Sequence, residues 1–299
     1  MNQLVTIFTC TYNRAKQLKR LYEKLKQQTN LDFKWLLIDD GSTDGTKEYV
    51  DEIQNEKIID ITYVRKENGG LLTGYNKAIT YLDTELAVCI DSDDFPPCDM
   101  VEIIHRKWEV LRKDELCAGI VGLDQSINGE ILGKKFTEPT INFLQYQLDP
   151  EMRADRKIVV RTDLYKKAAP LKEYKGELGI SPHMLHMIIC ETHYFAAINE
   201  VLCIVDYQKD GMSSNVLKQY YKSPHYFMDL RDYTLRKEIA PLKRKILDSV
   251  HYTSSCFLCH CVGEKFFFMP KKYITWPLLP VGFILSRYIK YVNEKGSKF

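Results

Sequence analysis

Four apolar residues, Ala87-Val-Cys-Ile90, run straight into Asp91-Ser-Asp93-Asp94, which crowds three carboxylates into four positions. Anions this close repel one another, so either their pKa values rise or a cation is bound among them. Asp91 and Asp93 form an Asp-x-Asp unit whose hard oxygens suit Mg²⁺ or Mn²⁺. A plainer reading also stands, since Ser92 or Asp94 ahead of Pro96-Pro97 could cap a following helix. Two further polar groups draw notice: Thr9, Thr11, Asn13 and Arg14 in one, and Asp39-Asp40-Gly-Ser-Thr-Asp44-Gly45, with good turn chemistry, in the other.

Such side chains act together only if the fold brings them to one edge. Residues 4–10 are rich in strand formers, and Leu18, Leu21, Tyr22 and Leu25 follow at helical spacing. The unit repeats: Trp35-Leu-Leu-Ile-Asp39 reads as a buried strand, and Tyr49, Val50 and Ile53 as the apolar face of a helix starting near Thr43-Asp-Gly. Residues 60–64 predict a third strand, Leu72, Tyr75, Ile79 and Leu82 a third helix, and residues 86–90 a fourth strand. Val101, Ile104, Trp108 and Leu111 mark the helix after it. Strands alternating with helices predict an α/β fold with a mostly parallel sheet covered on both faces. Ligands of such sheets lie at the carboxyl ends of the strands. All three polar groups fall there.

Composition narrows the class. A chain of 299 residues with 45% hydrophobic residues suits one large domain, or a domain with an appendage. Its 42 Lys+Arg against 40 Asp+Glu give a net charge of only +2, too balanced for nucleic acid as the main partner. The first residues lack the pattern of a secretory signal and the nine cysteines are scattered, which predicts a cytoplasmic setting.

Four motifs then carry a resemblance: Val5-Thr-Ile-Phe-Thr-Cys-Thr-Tyr-Asn-Arg14, Leu37-Ile-Asp-Asp-Gly-Ser-Thr-Asp44, Asn68-Gly-Gly70 with Asn76-Lys-Ala78, and Ile90-Asp-Ser-Asp-Asp94. In this order the chain resembles the inverting glycosyltransferases of family 2, with the GT-A (Rossmann-like) fold, of the type that builds bacterial surface polysaccharide. The resemblance continues more loosely through Val201 to Tyr207 and Asp210 to Ser213. It implies a nucleoside diphosphate sugar as donor, UDP-linked, and a saccharide or lipid-linked acceptor. It also implies Asp93 as metal ligand, Asp91 beside the ribose and the metal, and Asp94 with Ser92 near the donor sugar or supporting the site. Asp40 would bond the base, with Thr9, Tyr12 and Arg14 shaping the nucleoside pocket. Asn68, Gly69, Gly70 and Asn76 would lie along the donor. Relatives often carry a basic residue after those glycines, where this chain has Leu71 and Leu72.

Inversion needs a general base to take the acceptor proton. Family members place an acidic residue at a helix start in the stretch matching Tyr174-Lys-Gly-Glu177-Leu-Gly-Ile-Ser-Pro-His183-Met-Leu-His186. Here Glu177 and His183 are the candidates, and loss of the base would leave a nucleotide-sugar-binding protein. A Mg²⁺-dependent phosphohydrolase is the rival enzyme class, but it needs its Asp pair after the first strand. Domains are expected at 1–215 and 216–299, the second helical. Cys256, Cys259 and Cys261 with His251 and His260 fit buried thiols better than a zinc framework. Residues 266–287 combine aromatics with Lys271, Lys272 and Arg287. The uncharged part, Tyr273 to Ser286, is too short to span a bilayer and is interrupted by Pro277 and Pro280, so the stretch suits a membrane surface, a packed cap or a homodimer contact.

Overall fold

The computed structural model describes residues 3–148, 154–177, 182–206, 216–238 and 240–295. The first elements alternate as the periodicity predicts: β1 (Val5–Thr11), α1 (Ala15–Lys26), β2 (Phe33–Asp39), α2 (Thr46–Glu56), β3 (Asp60–Arg65), α3 (Leu71–Tyr81), β4 (Leu86–Cys89) and α4 (Met100–Leu111). There follow β5 (Cys117–Ser126), β6 (Thr140–Ile141), α5 (Phe143–Leu148), β7 (Arg156–Arg161), α6 (Thr162–Ala168), α7 (His183–Ile189) and β8 (Tyr194–Val205). The remaining helices are α8 (Val216–Lys222), α9 (Pro224–Arg236), α10 (Leu242–Leu258), α11 (Val262–Lys265), α12 (Lys272–Thr275) and α13 (Leu279–Lys295), with a 3₁₀ turn at Phe266–Phe268.

All strands join one sheet in the order β3-β2-β1-β4-β7-β5-β8-β6. β1 pairs in parallel with β2 and β4, and β2 with β3. β7 runs antiparallel to both β4 and β5, while β5 and β8 are parallel. The chain winds outward from β1 to β3 and then returns to β4 on the other side of β1. The crevice at such a reversal is where open α/β sheets bind ligands. Both β1 and β4 end there.

The core explains the placement. Leu18, Leu21, Tyr22 and Leu25 of α1 are buried with Val5, Ile7 and Trp35, and Val101, Ile104 and Trp108 of α4 join the same cluster. β4 ends at Cys89, one residue short of the predicted strand, yet the Ile90 N–H still donates to Phe8 O at 3.0 Å. α2 begins at Thr46 because Asp44 turns the chain: its Oδ1 accepts from the Thr46 hydroxyl at 2.6 Å, and its Oδ2 from Ala15 N at 2.9 Å.

The chain divides into two compact units, Met1–Leu171 with Pro182–Gln208, and Lys172–Ser181 with Lys209–Phe299. This differs from the expected boundary in the stretch that holds Glu177. Those residues join the helical unit because Tyr174 O–H donates to Asp229 Oδ2 at 2.6 Å and Glu177 bonds the start of α9. In the helical unit, Met228, Leu235, Tyr252, Cys256 and Met269 form a small core, and Asp248 sits buried between Arg231 and Arg244. Gly282 of α13 lets that helix approach α10 closely, since a Cβ there would meet Thr253 Oγ1 at 2.0 Å. Among the described residues no helix is long and apolar enough to cross a membrane.

Candidate active site

The acidic run leaves β4 at the reversal point. Arg14, at the end of β1, donates through Nη1 to Asp93 Oδ2. Arg20 of α1 reaches the same loop, giving Nη2 to Asp93 O and Nη1 to Asp206 Oδ2, the latter at 2.6 Å. Asp91 keeps contact with solvent but is ringed by protein; that partial desolvation raises its pKa, and Lys157 is the main charge opposing the rise. Asp94 is buried. Its carboxylate accepts from Asp206 N at 3.3 Å and faces Cys203 Sγ at 3.9 Å, and burial pushes it up to about 7 against the pull of Lys157. A reciprocal pair of backbone bonds, Phe95 N to Ile204 O and Ile204 N to Phe95 O, ties the next residue to β8. Asp94 therefore holds the loop in place. Ser92 is buried beside it.

Asp40 gathers a second group. Its Oδ1 accepts from Gly69 N at 3.0 Å and from Lys66 Nζ, its Oδ2 accepts from Gly70 N at 2.7 Å, and its carbonyl accepts from Asn68 Nδ2 at 3.0 Å. Gly70 adopts φ +86°, open to glycine at little cost, so its N–H can turn toward the carboxylate at the start of α3. The structure thus brings Asp40, Asn68, Gly69 and Gly70 together as one folded loop. The Asp40 carboxylate is 5% exposed and its oxygens are filled from within the protein. Lys66 supplies a cation to this loop from the end of β3 rather than from the positions after the glycines.

The other candidates separate. Thr9 is fully buried: its hydroxyl donates to Ile90 O at 2.8 Å and accepts from Trp35 Nε1 at 3.1 Å, which makes it a strut between β1 and β4 rather than a pocket wall. Asn76 clamps the backbone of Leu171, Nδ2 to O at 2.8 Å and Oδ1 from N at 3.0 Å. Tyr12 is exposed. Glu177 lies in the helical unit, where it accepts from His225 N at 2.9 Å, His225 Nδ1 at 2.6 Å and Tyr226 N at 3.1 Å. The two backbone N–H groups are orphan donors of the first turn of α9, so its carboxylate is spent on a helix terminus. His183 opens α7 in the sheet unit and remains open to solvent. Protein packed around it lowers its pKa, with Asp155 acting in the opposite sense, so the imidazole is neutral at physiological pH. Of the Val201 to Tyr207 motif, residues 201–205 end β8 and Asp206 follows it, while Tyr207 and the Asp210 to Ser213 stretch lie outside the described residues.

Among the described residues no group of three His, Cys, Asp or Glu is arranged to hold a metal. An ion of the Mg²⁺ kind needs only one or two carboxylates when waters and substrate phosphates complete its shell. Asp91 and Asp93 fit that requirement and no all-protein cage. Four neighbours were not legible as site residues. Arg20 and Lys66 look like surface charges, Asp124 continues a strand, and Lys157 sits at a strand start where a charge ordinarily reads as solvated.

Comparison with known proteins bears on the family and the fold. A family model described as glycosyl transferase family 2 matches residues 6–165, which contain β1 through the start of α6. Over 138 residues the chain is 26% identical to a chondroitin synthase of Pasteurella multocida, covering 46% of this chain and 14% of that protein. It is 27% identical over 129 residues to glycosyltransferase GlyG of Streptococcus pneumoniae, 42% of each chain. The chain thus spans less than half the length of these relatives. Among solved structures, S. aureus TarS residues 1–349 in complex with UDP-GlcNAc superposes with a TM-score of 0.62 at 17% identity, covering 98% of this chain and 92% of that one. A mannosyltransferase of Pyrobaculum calidifontis in complex with GDP-Man and Mn²⁺ gives 0.57 at 14% identity, over 95% and 86%. These likenesses place the chain in the GT-A fold. With the family model spanning β1, β4 and the acidic run between α3 and α4, the chain belongs to glycosyl transferase family 2.

Proposed function

We propose that this protein transfers a sugar, with inversion, from a nucleoside diphosphate donor, UDP-linked, to a glycan or lipid-linked acceptor in surface-polysaccharide assembly. The observation that carries the reading is the convergence of the family motifs on the β1/β4 reversal point, where Asp91 is exposed to solvent and Asp93 is paired with Arg14. Mg²⁺ or Mn²⁺ held by Asp93 and Asp91 would neutralise the departing diphosphate. Asp94 supports that loop. Tyr12, Arg14 and the loop that Asp40 orders would receive the nucleoside, so Asp40 acts through Asn68, Gly69 and Gly70. Being neutral and open to solvent, His183 suits a general base that takes the acceptor hydroxyl proton, a task the committed carboxylate of Glu177 does not suit.

The acceptor side follows from the helical unit. Phe268 is 74%, Tyr273 75% and Ile284 68% exposed, and Lys272 and Arg287 stand among them. Aromatic and basic side chains together suit the headgroup layer of an anionic membrane, where lipid-linked acceptors reside. A second reading, a nucleotide-sugar-binding protein without turnover, draws on one observation: Glu177, the acidic residue of the expected stretch, is bonded to α9. Release of nucleoside diphosphate from a panel of UDP-, GDP- and TDP-sugars, with and without glycan and lipid-linked acceptors, separates the two. Turnover with one donor class supports transfer, whereas donor-induced thermal stabilisation without turnover by any pair supports binding alone.

A further inference from the structure

Lys157 lies in β7, only 8% exposed, opposite Gly122 of β5. Its strand neighbour Val159 pairs with both Val88 of β4 and Ile120 of β5, and side chains alternate along a strand. Lys157 therefore emerges on the face of Val88. Carrying the same register two residues further sets it beside Ile90, the last residue before the acidic run. On this face Asp124 of β5 stands two residues beyond Gly122 and pairs with Cys203 of β8, whose Sγ faces Asp94 Oδ2 at 3.9 Å. Asp124 is 2% exposed, and its Oδ1 has no hydrogen-bond partner. The strand register thus sets a buried lysine and the buried carboxyl of Asp124 on one face of the sheet, with Asp94 reaching the same face through Cys203.

Charge accounts for the grouping. Burial raises Asp124 to about 6, and Lys157 is the foremost charge opposing that rise. Burial also works against the ammonium itself, but the surrounding carboxylates, Asp124 foremost, outweigh it and keep Lys157 charged. Arg14 balances Asp93 on the outer side of the run. The crowding of carboxylates is therefore offset from two sides before any ligand arrives.

We infer that Lys157 is a positioning residue whose buried ammonium draws Asp94 and Asp91 down toward the sheet, so that the acidic run is set in its binding geometry before the donor diphosphate enters. The inference rests on the donor reading above for its consequence, though not for the grouping of charges on this face. Loss of the ammonium leaves Asp124 and Asp94 buried together without a counter-charge, which destabilises the fold and releases the loop.

The test uses the full chain and two readouts, urea unfolding and calorimetric titration of UDP with Mn²⁺. Lys157→Met is expected to lower the unfolding midpoint, and Lys157→Met/Asp124→Asn to recover most of it by removing the uncompensated carboxylate. UDP affinity in the recovered double variant should remain at least ~10-fold weaker than wild type, with Lys157→Arg partly rescuing it. Recovery of affinity together with stability would mean a purely structural lysine and would overturn the proposal. So would wild-type stability and affinity in Lys157→Met. If wild type binds no nucleotide, the donor reading fails by itself, and a cycle between Lys157→Met and Asp94→Asn on stability decides: non-additive effects support the coupling, and additive ones overturn it.

Discussion

At the scale of single residues the site combines groups that face a ligand with groups that hold them. His183 carries the sharpest consequence. A base works in its unprotonated form, and surrounding protein lowers the pKa of His183 below its ordinary value of 6.5. If His183 is the base, the rate is held on descending through neutrality and lost only as pH falls below about 6.5. His183→Ala is expected to reduce turnover by about 10²–10⁴ with donor affinity near wild type, and Glu177→Gln to leave the acidic limb where it is. A pH profile of donor turnover in the three proteins checks this; an acidic limb that moves in Glu177→Gln would return the role to that carboxylate. The acidic run was legible because three carboxylates in four positions demand an explanation from charge alone. Lys157 was not, because no rule of spacing tells a buried lysine from a solvated one at a strand start. Thr9 and Asn76 read as ligand contacts from their motifs, but their polar atoms satisfy Ile90, Trp35 and Leu171.

Among the elements, the loop between β3 and α3 depends on one carboxylate. Asp40→Ala would strand the Gly69 and Gly70 N–H groups and leave Lys66 without its charge partner. Hydrogen bonds to a charged acceptor contribute about 1.5–3 kcal/mol each, but water can enter a loop that opens, so a total loss of ~2–4 kcal/mol is expected. Urea unfolding measures it, and a change under ~0.5 kcal/mol would show that the loop does not hang on Asp40. Helix faces and strands of the sheet unit were legible throughout the first four βα repeats, since period 3.6 and apolar runs mark them. The antiparallel insertion of β7 between β4 and β5 was not, because register across strands distant in sequence leaves no local signature. For the same reason the stretch around Glu177 gave no sign that it would cap a helix nearly fifty residues on.

The chain holds a sheet unit, proposed to bind the donor, and a helical unit that exposes aromatics. If those aromatics meet a bilayer, the full chain should sediment with vesicles containing anionic lipid. A Phe267→Ser/Phe268→Ser/Ile284→Ser variant should lose most of that binding while unfolding at the wild-type temperature, because these side chains are 67%, 74% and 68% exposed. A concentration-dependent dimer that the same substitutions dissociate, with no vesicle binding by wild type, would instead assign the face to a second copy of the chain. The central claim concerns the sheet unit, and a crystal structure of the full chain with UDP and Mn²⁺ tests it most directly through the anomalous signal of the metal. The account predicts one manganese about 2 Å from a carboxylate oxygen of Asp93 or Asp91, bridging to the diphosphate, with the uridine over the loop ordered by Asp40. A nucleotide bound away from the β1/β4 reversal point, or a manganese that touches neither aspartate, would contradict it.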